Sequence, residues 1–165
     1  MSVELRSDAS TVNTTASTSL TVDCPAGVVA GDVLLAVVAT VGTPTITAPA
    51  GWVEVDTLDA GAAAIRSAVY YLVADGGEPP SWSWALDSST RAWVWVGAYT
   101  GVDPDDPIQT AVSEAAAGTF FLAAPGSMER PEGRLVCAAA GVLPASGSAV
   151  SWSTPTAHRV LRASL

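Results

Sequence analysis

Lysine is absent from the 165 residues, so all seven basic residues are arginine, set against 16 acidic residues and a net charge of −9. With so few cations there is no basic patch to displace counterions from a phosphate backbone, and direct nucleic-acid binding is not expected. Histidine occurs once, at His158. A Ser/His/Asp or Cys/His centre would have to use it, and no serine sits in a nucleophile-elbow sequence, so no catalytic residue is expected and the chain reads as a non-enzyme. Cysteine occurs twice, at Cys24 and Cys137, each in or beside an apolar run where a free thiol behaves as a small hydrophobe. Buried free thiols are expected ahead of a disulfide, and without a histidine pair the two cysteines make no metal site. Neither a metal nor a cofactor is expected. Long hydrophobic runs are missing too: Val33 to Val41 spans about nine residues, against the ~20 of a membrane helix, so no membrane role is expected. Residues 1–20 lack a basic start and an apolar segment, which points away from a signal peptide and toward synthesis in the cytoplasm.

Hydrophobic residues supply 49% of the chain and charged ones 14%, the balance of a packed globular protein rather than a disordered one. No fixed repeat and no linker divides the sequence, so residues 1–165 read as a single domain. Its most informative stretch is Thr90 to Ile108. Ala92, Val94, Val96 and Ala98 alternate with Arg91, Trp93, Trp95 and Tyr99, the period-two pattern of a strand with one small apolar face and one aromatic face. Gly101, Pro104, Pro107 and three aspartates then end it in a rigid corner.

The remaining segments read the same way. Val3 to Arg6 is a short strand, and the Ser/Thr-rich region after it ends in an exposed edge strand near Thr18 to Val22. Val33 to Val41 is continuously apolar and short, which fits a strand buried on both faces. Gly42 to Gly51 is a loop with at most a short strand at Ile46. Trp52 to Leu58 alternates as a half-exposed strand, and Ala63 to Val73 is a strand followed by a wide turn at Asp75 to Pro80. Ser81 to Leu86 is a further strand, joined through Asp87 to Ser89 to the Thr90 strand, its tryptophans expected to share a sheet face with Trp93 and Trp95. Ile108 to Ser113, Thr119 to Leu122, Val150 to Ser153 and His158 to Leu161 are short strands, with an Ala/Gly loop after Ser113. Arg134 to Val142 is a second continuously apolar strand and the natural partner of Val33 to Val41. About ten short strands without a convincing amphipathic helix make an all-β fold, a single antiparallel β-sandwich or barrel.

The carboxylates offer little chemistry. Asp103, Asp105 and Asp106 lack the glycine and closing glutamate of a calcium loop and read as a Pro/Asp turn. Glu54 and Asp56 read as the solvated face of a strand rather than a glycosidase pair. Tryptophan is the one surplus. Core packing is the simplest account of any single one, but Trp82, Trp84, Trp93 and Trp95 are also candidates for a partner interface or, if exposed, for a glycan-binding face.

Four segments in order, Pro25-Ala-Gly-Val-Val-Ala-Gly-Asp-Val-Leu-Leu-Ala36, Pro49-Ala-Gly-Trp52, Tyr70-Tyr-Leu-Val-Ala74 and Tyr99-Thr-Gly-Val-Asp-Pro-Asp-Asp-Pro-Ile108, resemble a family of β-sandwich domains common in virion proteins of tailed phages of actinobacteria. The resemblance covers about residues 20 to 142. It implies a jelly-roll-like sandwich serving as a capsid decoration protein, a minor capsid protein or a minor tail protein. Its expected partners are the major capsid protein or tail proteins, together with further copies of itself as a homo-oligomer, and its expected location is the virion. It brings no catalytic residues. Such domains usually close with a further apolar strand after the Thr/His/Arg region, so an edge completed by a neighbouring subunit is one expectation. The alternative is a carbohydrate-binding or host-adhesion module.

Overall fold

The computed structural model describes residues 3–60, 65–108, 114–116, 119–123 and 138–141. Within them the regular elements are all strands: β1 (Glu4–Asp23), β2 (Val33–Val41), β3 (Ile46–Thr47), β4 (Val53–Ala60), β5 (Ile65–Val73), β6 (Ser81–Thr100), β7 (Glu114–Ala116), β8 (Thr119–Ala123) and β9 (Ala138–Gly141). The strands pair antiparallel throughout. One sheet runs β1-β6-β2-β5-β4 with β3 joined to β6, and a smaller sheet runs β7-β8-β9.

β6 organises the larger sheet. Its second half, Ala92 to Tyr99, is buried at every position because it lies between β1 and β2 in a sheet covered on both faces. Its first half pairs with the end of β1 on one side and with β3 on the other, and there burial alternates, with Trp82, Trp84 and Leu86 inward and Ser83 and Ala85 outward. β6 therefore keeps β1 along its length and exchanges β3 for β2 on its other edge. The exchange is fastened by Asp87 N–H donating to Thr45 O (3.2 Å) and Thr90 Oγ1 donating to Val41 O (2.6 Å).

The sheet doubles back at this point. Tyr70 of β5 lies level with Ala36 of β2 and Val96 of β6, and a straight β6 would hold Trp84 about 40 Å from Val96. Yet the Trp84 and Tyr70 rings are 6.3 Å apart. The bend coincides with β1 register shifts between Asn13 and Ser17 and between Ser17 and Ser19, the irregularity that lets a paired strand turn. Folding over places Leu20, Val22, Trp82, Trp84 and Leu86 against Leu34, Val38, Ala68, Tyr70, Val94 and Val96 in one core. The opposite face gathers Leu35, Val37, Ala39, Trp93, Trp95 and Tyr99, with Val102 and Ile108 packed against it from beyond the corner that ends β6. Gly101 takes φ 78° in that corner, a conformation that suits glycine.

The entry to β2 is tied to β1 by a buried carboxylate. Asp32 accepts from Arg6 Nε (2.7 Å) and Nη2 (3.0 Å) and from the backbone N–H of Val29 (3.1 Å). Its side chain is 3% exposed. The other bidentate pair, Arg66 with Asp59, lies at the surface, with Asp59 42% exposed.

Several expectations hold: β2 is buried on both faces, Ile46 sits in a two-residue strand, and the aromatic and small faces of β6 separate as the alternation requires. Others are corrected. The separate strands at Val3 to Arg6 and Thr18 to Val22 are one continuous β1, because no glycine or proline interrupts Glu4 to Asp23. Ser81 to Leu86 and the Thr90 strand are likewise one strand, so even-numbered Trp82 and Trp84 and odd-numbered Trp93 and Trp95 point to opposite faces rather than sharing one. β2 is flanked by β5 and β6, and the Ala138–Gly141 part of the second apolar run pairs with β8 instead. The Ala/Gly loop after Ser113 contains β7. The expected strands at Val150 to Ser153 and His158 to Leu161, and Cys137, lie outside the described residues.

Two substitutions probe this arrangement. A Cβ at Gly97 would run into Trp95 Cη2 and Cζ2, because the indole lies across that glycine. Gly97→Ala is expected to cost about 1–3 kcal/mol through overpacking, read as a lower urea midpoint. Arg6→Ala is expected to lower that midpoint more than Arg66→Ala, since it leaves a buried carboxylate without its cation whereas Asp59 stays hydrated. Equal midpoints would remove Asp32 from its anchoring role.

Candidate interaction surface

The four candidate tryptophans are brought together in pairs. Trp82 and Trp84 enter the folded-over core, where Trp52, just before β4, meets Trp82 edge-on at 5.3 Å and 88° and Trp84 at 5.3 Å and 56°. Trp93 and Trp95 lie on the other side of the sheet among Leu35, Val37, Ala39 and Tyr99. Trp95 Nε1 donates to Asp8 Oδ2 at 2.9 Å, across the strand pair that also joins Asp8 to Gly97. Exposures are 5% for Trp82, 0% for Trp84, 6% for Trp93 and 2% for Trp95. A glycan platform stacks a sugar on an open ring face, and in these four the faces are occupied by the chain's own residues.

The acidic candidates are held in local turns. Asp103 Oδ1 accepts from Asp105 N (3.0 Å) and Asp103 O from Asp106 N (3.3 Å), the bonding of an Asp-initiated turn. Glu54 Oε1 accepts from Thr57 Oγ1 (2.8 Å) and Asp56 Oδ1 from Thr57 N (2.9 Å). Among the described residues no three His, Cys, Asp or Glu side chains are placed to hold a metal ion. His158 lies outside them. Cys24 carries a free thiol whose pKa is raised by burial and, second, by the charge of Glu78, which makes it a poor nucleophile near neutral pH.

Among the described residues, β4 and β1 form the two margins of the larger sheet. At one margin, β4 carries Glu54, Asp56 and Asp59, charges that discourage a further strand from adding. At the other, β1 has no charged residue, proline or glycine from Ala9 through Val22, and Ser10, Val12, Thr14, Thr15, Ala16, Thr18 and Ser19 are exposed. Among the described residues its strand partner is β6. Val12 is, among the described residues, one of the few large apolar side chains left in solvent, at 44%. Reading the Ser/Thr-rich region as a short edge strand near Thr18 to Val22 finds the place and misses its length.

Arg66 is engaged within the chain, donating from Nε and Nη2 to Asp59 (2.7 and 2.8 Å) and from Nη1 to Pro44 O (3.0 Å). The hydrogen bond from Arg66 is the main influence holding Asp59 below the usual carboxylate range. Comparison of the chain with known protein families, curated proteins and solved structures returned no match in any of the three.

Tyr70 supplies a pH handle on the core. Burial first, then the negative charge of Glu54 opposite it on β4, push its phenol from 10.0 up to about 12. Below pH 10 the group is protonated in both folded and unfolded chains; between pH 10 and about 12 only the unfolded chain has released its proton, so stability falls as pH rises through that window. A tyrosine absorbance step near pH 12 and loss of this slope in Tyr70→Phe are expected; a Tyr70→Phe protein with an unchanged alkaline slope would assign it elsewhere.

Proposed function

We propose that this chain is a non-enzymatic structural protein of a tailed-phage virion, a capsid decoration or minor capsid protein that binds the shell and stabilises it through β-edge contacts. The observation that carries the assembly role is the β1 margin: a 20-residue strand whose central part is exposed and free of the charges, prolines and glycines that ordinarily block strand addition. Such an edge suits pairing with a strand from a neighbouring subunit, with main-chain hydrogen bonds supplying affinity. The virion setting comes from the four-segment resemblance. In this reading the doubled-back sheet is a jelly-roll-like β-sandwich, the partners are the major capsid protein and further copies of the same chain, and the location is the particle. The inward-facing tryptophans support a core role for Trp82, Trp84, Trp93 and Trp95 and leave the edge as the recognition element.

Immunogold electron microscopy of intact virions, using antibody against the purified chain, tests the setting. Regular label over the head is the expected result. Label confined to the tail would replace the capsid role by that of a minor tail or host-adhesion protein, and particles without label would overturn the exposed-virion role. The edge is tested separately with the double variant Val12→Glu, Thr14→Glu. Both side chains are exposed, so circular dichroism is expected to be unchanged while self-association by light scattering, or binding to shells lacking the protein, is lost. Retained association would place the contact away from β1.

A further inference from the structure

The folded-over core contains two polar atoms that no protein atom satisfies, Trp52 Nε1 and Trp84 Nε1, and beside them the equally covered Tyr70 Oη, whose protein partner is the Glu54 carboxylate. They are not scattered. Trp52 and Tyr70 both touch Trp84, at ring separations of 5.3 and 6.3 Å, so two indole N–H donors and one phenol belong to a single aromatic cluster. By contrast Trp95, on the other face, directs its Nε1 to a carboxylate. An unmet buried donor disfavours folding by roughly ten- to a hundredfold, and indole nitrogen can only donate. The cluster therefore calls for an acceptor that also fits among aromatic rings.

We infer that the Trp52–Tyr70–Trp84 cluster encloses a buried hydration site, in which ordered water accepts from the indole N–H groups and exchanges a hydrogen bond with Tyr70 Oη. Water is the ligand whose chemistry fits, being small, neutral and able to accept from two donors while donating onward; a carboxylate or phosphate would bring an unpaired charge into the core. The onward acceptor at the rim is Glu54, which pairs across from Tyr70 and lies exposed at the sheet margin. Trp84, at 0% exposure, is the most deeply covered of the three. The site accounts for a core that uses tryptophan and tyrosine where phenylalanine would fill similar space without a polar atom to satisfy.

The test is water-to-protein NOE spectroscopy on the intact protein with 15N-labelled tryptophan, followed by the same measurement on Tyr70→Phe. Cross-peaks from water to the indole N–H of Trp84 and Trp52, with the sign of a long-lived bound molecule and surviving in Tyr70→Phe, are expected. Cross-peaks that vanish in that variant would come from relay through the phenol and would overturn the site, as would their absence in the parent protein. Replacing Trp84 by benzothienylalanine, which keeps the ring shape and lacks the N–H, separates energetics from packing. A folding constant about fivefold lower is expected if a water-mediated bond is lost; an unchanged or higher constant would mean that the N–H is unpaired and the site dry.

Discussion

A strand of twenty residues extends about 65 Å, whereas a compact chain of 165 residues has a radius of gyration of about 15 Å. β1 and β6 are both that long and stay paired from one end to the other, through Glu4 with Thr100 and Asp23 with Ser81. They cannot remain straight while Trp84 of one half meets Tyr70, which lies level with Val96 of the other. Extra residues, first in β1 between Asn13 and Ser17 and then in β6 between Ala85 and Thr90, interrupt the ladder near its middle, and the pair folds over. The placement of β2, β3 and the aromatic core follows from where the pair bends.

Side-chain size agrees with that geometry. The first half of β6 brings large residues, Trp82, Trp84 and Leu86, and the surface they meet includes Ala36, Ala68, Ala92 and Ala98, small enough for indoles to be received without separating the layers. On the reverse face the same economy appears as a glycine: the Trp95 ring lies flat over Gly97 and its nitrogen reaches the neighbouring strand. Arg6 and Asp32 then fix β1 to the turn before β2, so that strand is held by a charged tie as well as by its ladder.

Strand identity was legible wherever alternation or continuous apolar runs were strong, as in β2, β5 and the second half of β6. Strand length was not, because Ser, Thr and Asn resemble loop residues when they face solvent, and the reading broke β1 at residues that are extended. The available signal was negative: neither glycine nor proline occurs between Glu4 and Asp23. Parity carried the other missed fact. Trp84 and Trp93 are an odd number of residues apart, so one uninterrupted strand must send them to opposite faces; treating Asp87 to Ser89 as a connection hid this. The partner of β2 was beyond sequence reasoning, since two apolar runs of similar length carry no information on which of them will neighbour it. For the proposed recognition surface, residue type drew attention to tryptophan, whereas burial shifts the proposal to the polar margin that composition makes inconspicuous.

The order in which the chain is made gives the β1 and β6 pairing a temporal side. β1 leaves the ribosome before β6, and its nearest pairing residue is Ser81 and its farthest Thr100. At synthesis rates of roughly 5–20 residues per second, the strand waits several seconds before its ladder can close. Contacts this distant along the chain also slow the folding step itself. During that interval both margins of β1, rather than one, are open to other nascent chains. The Ser/Thr composition of the strand favours solubility through the wait, and among the described residues the same strand keeps a single partner, β6.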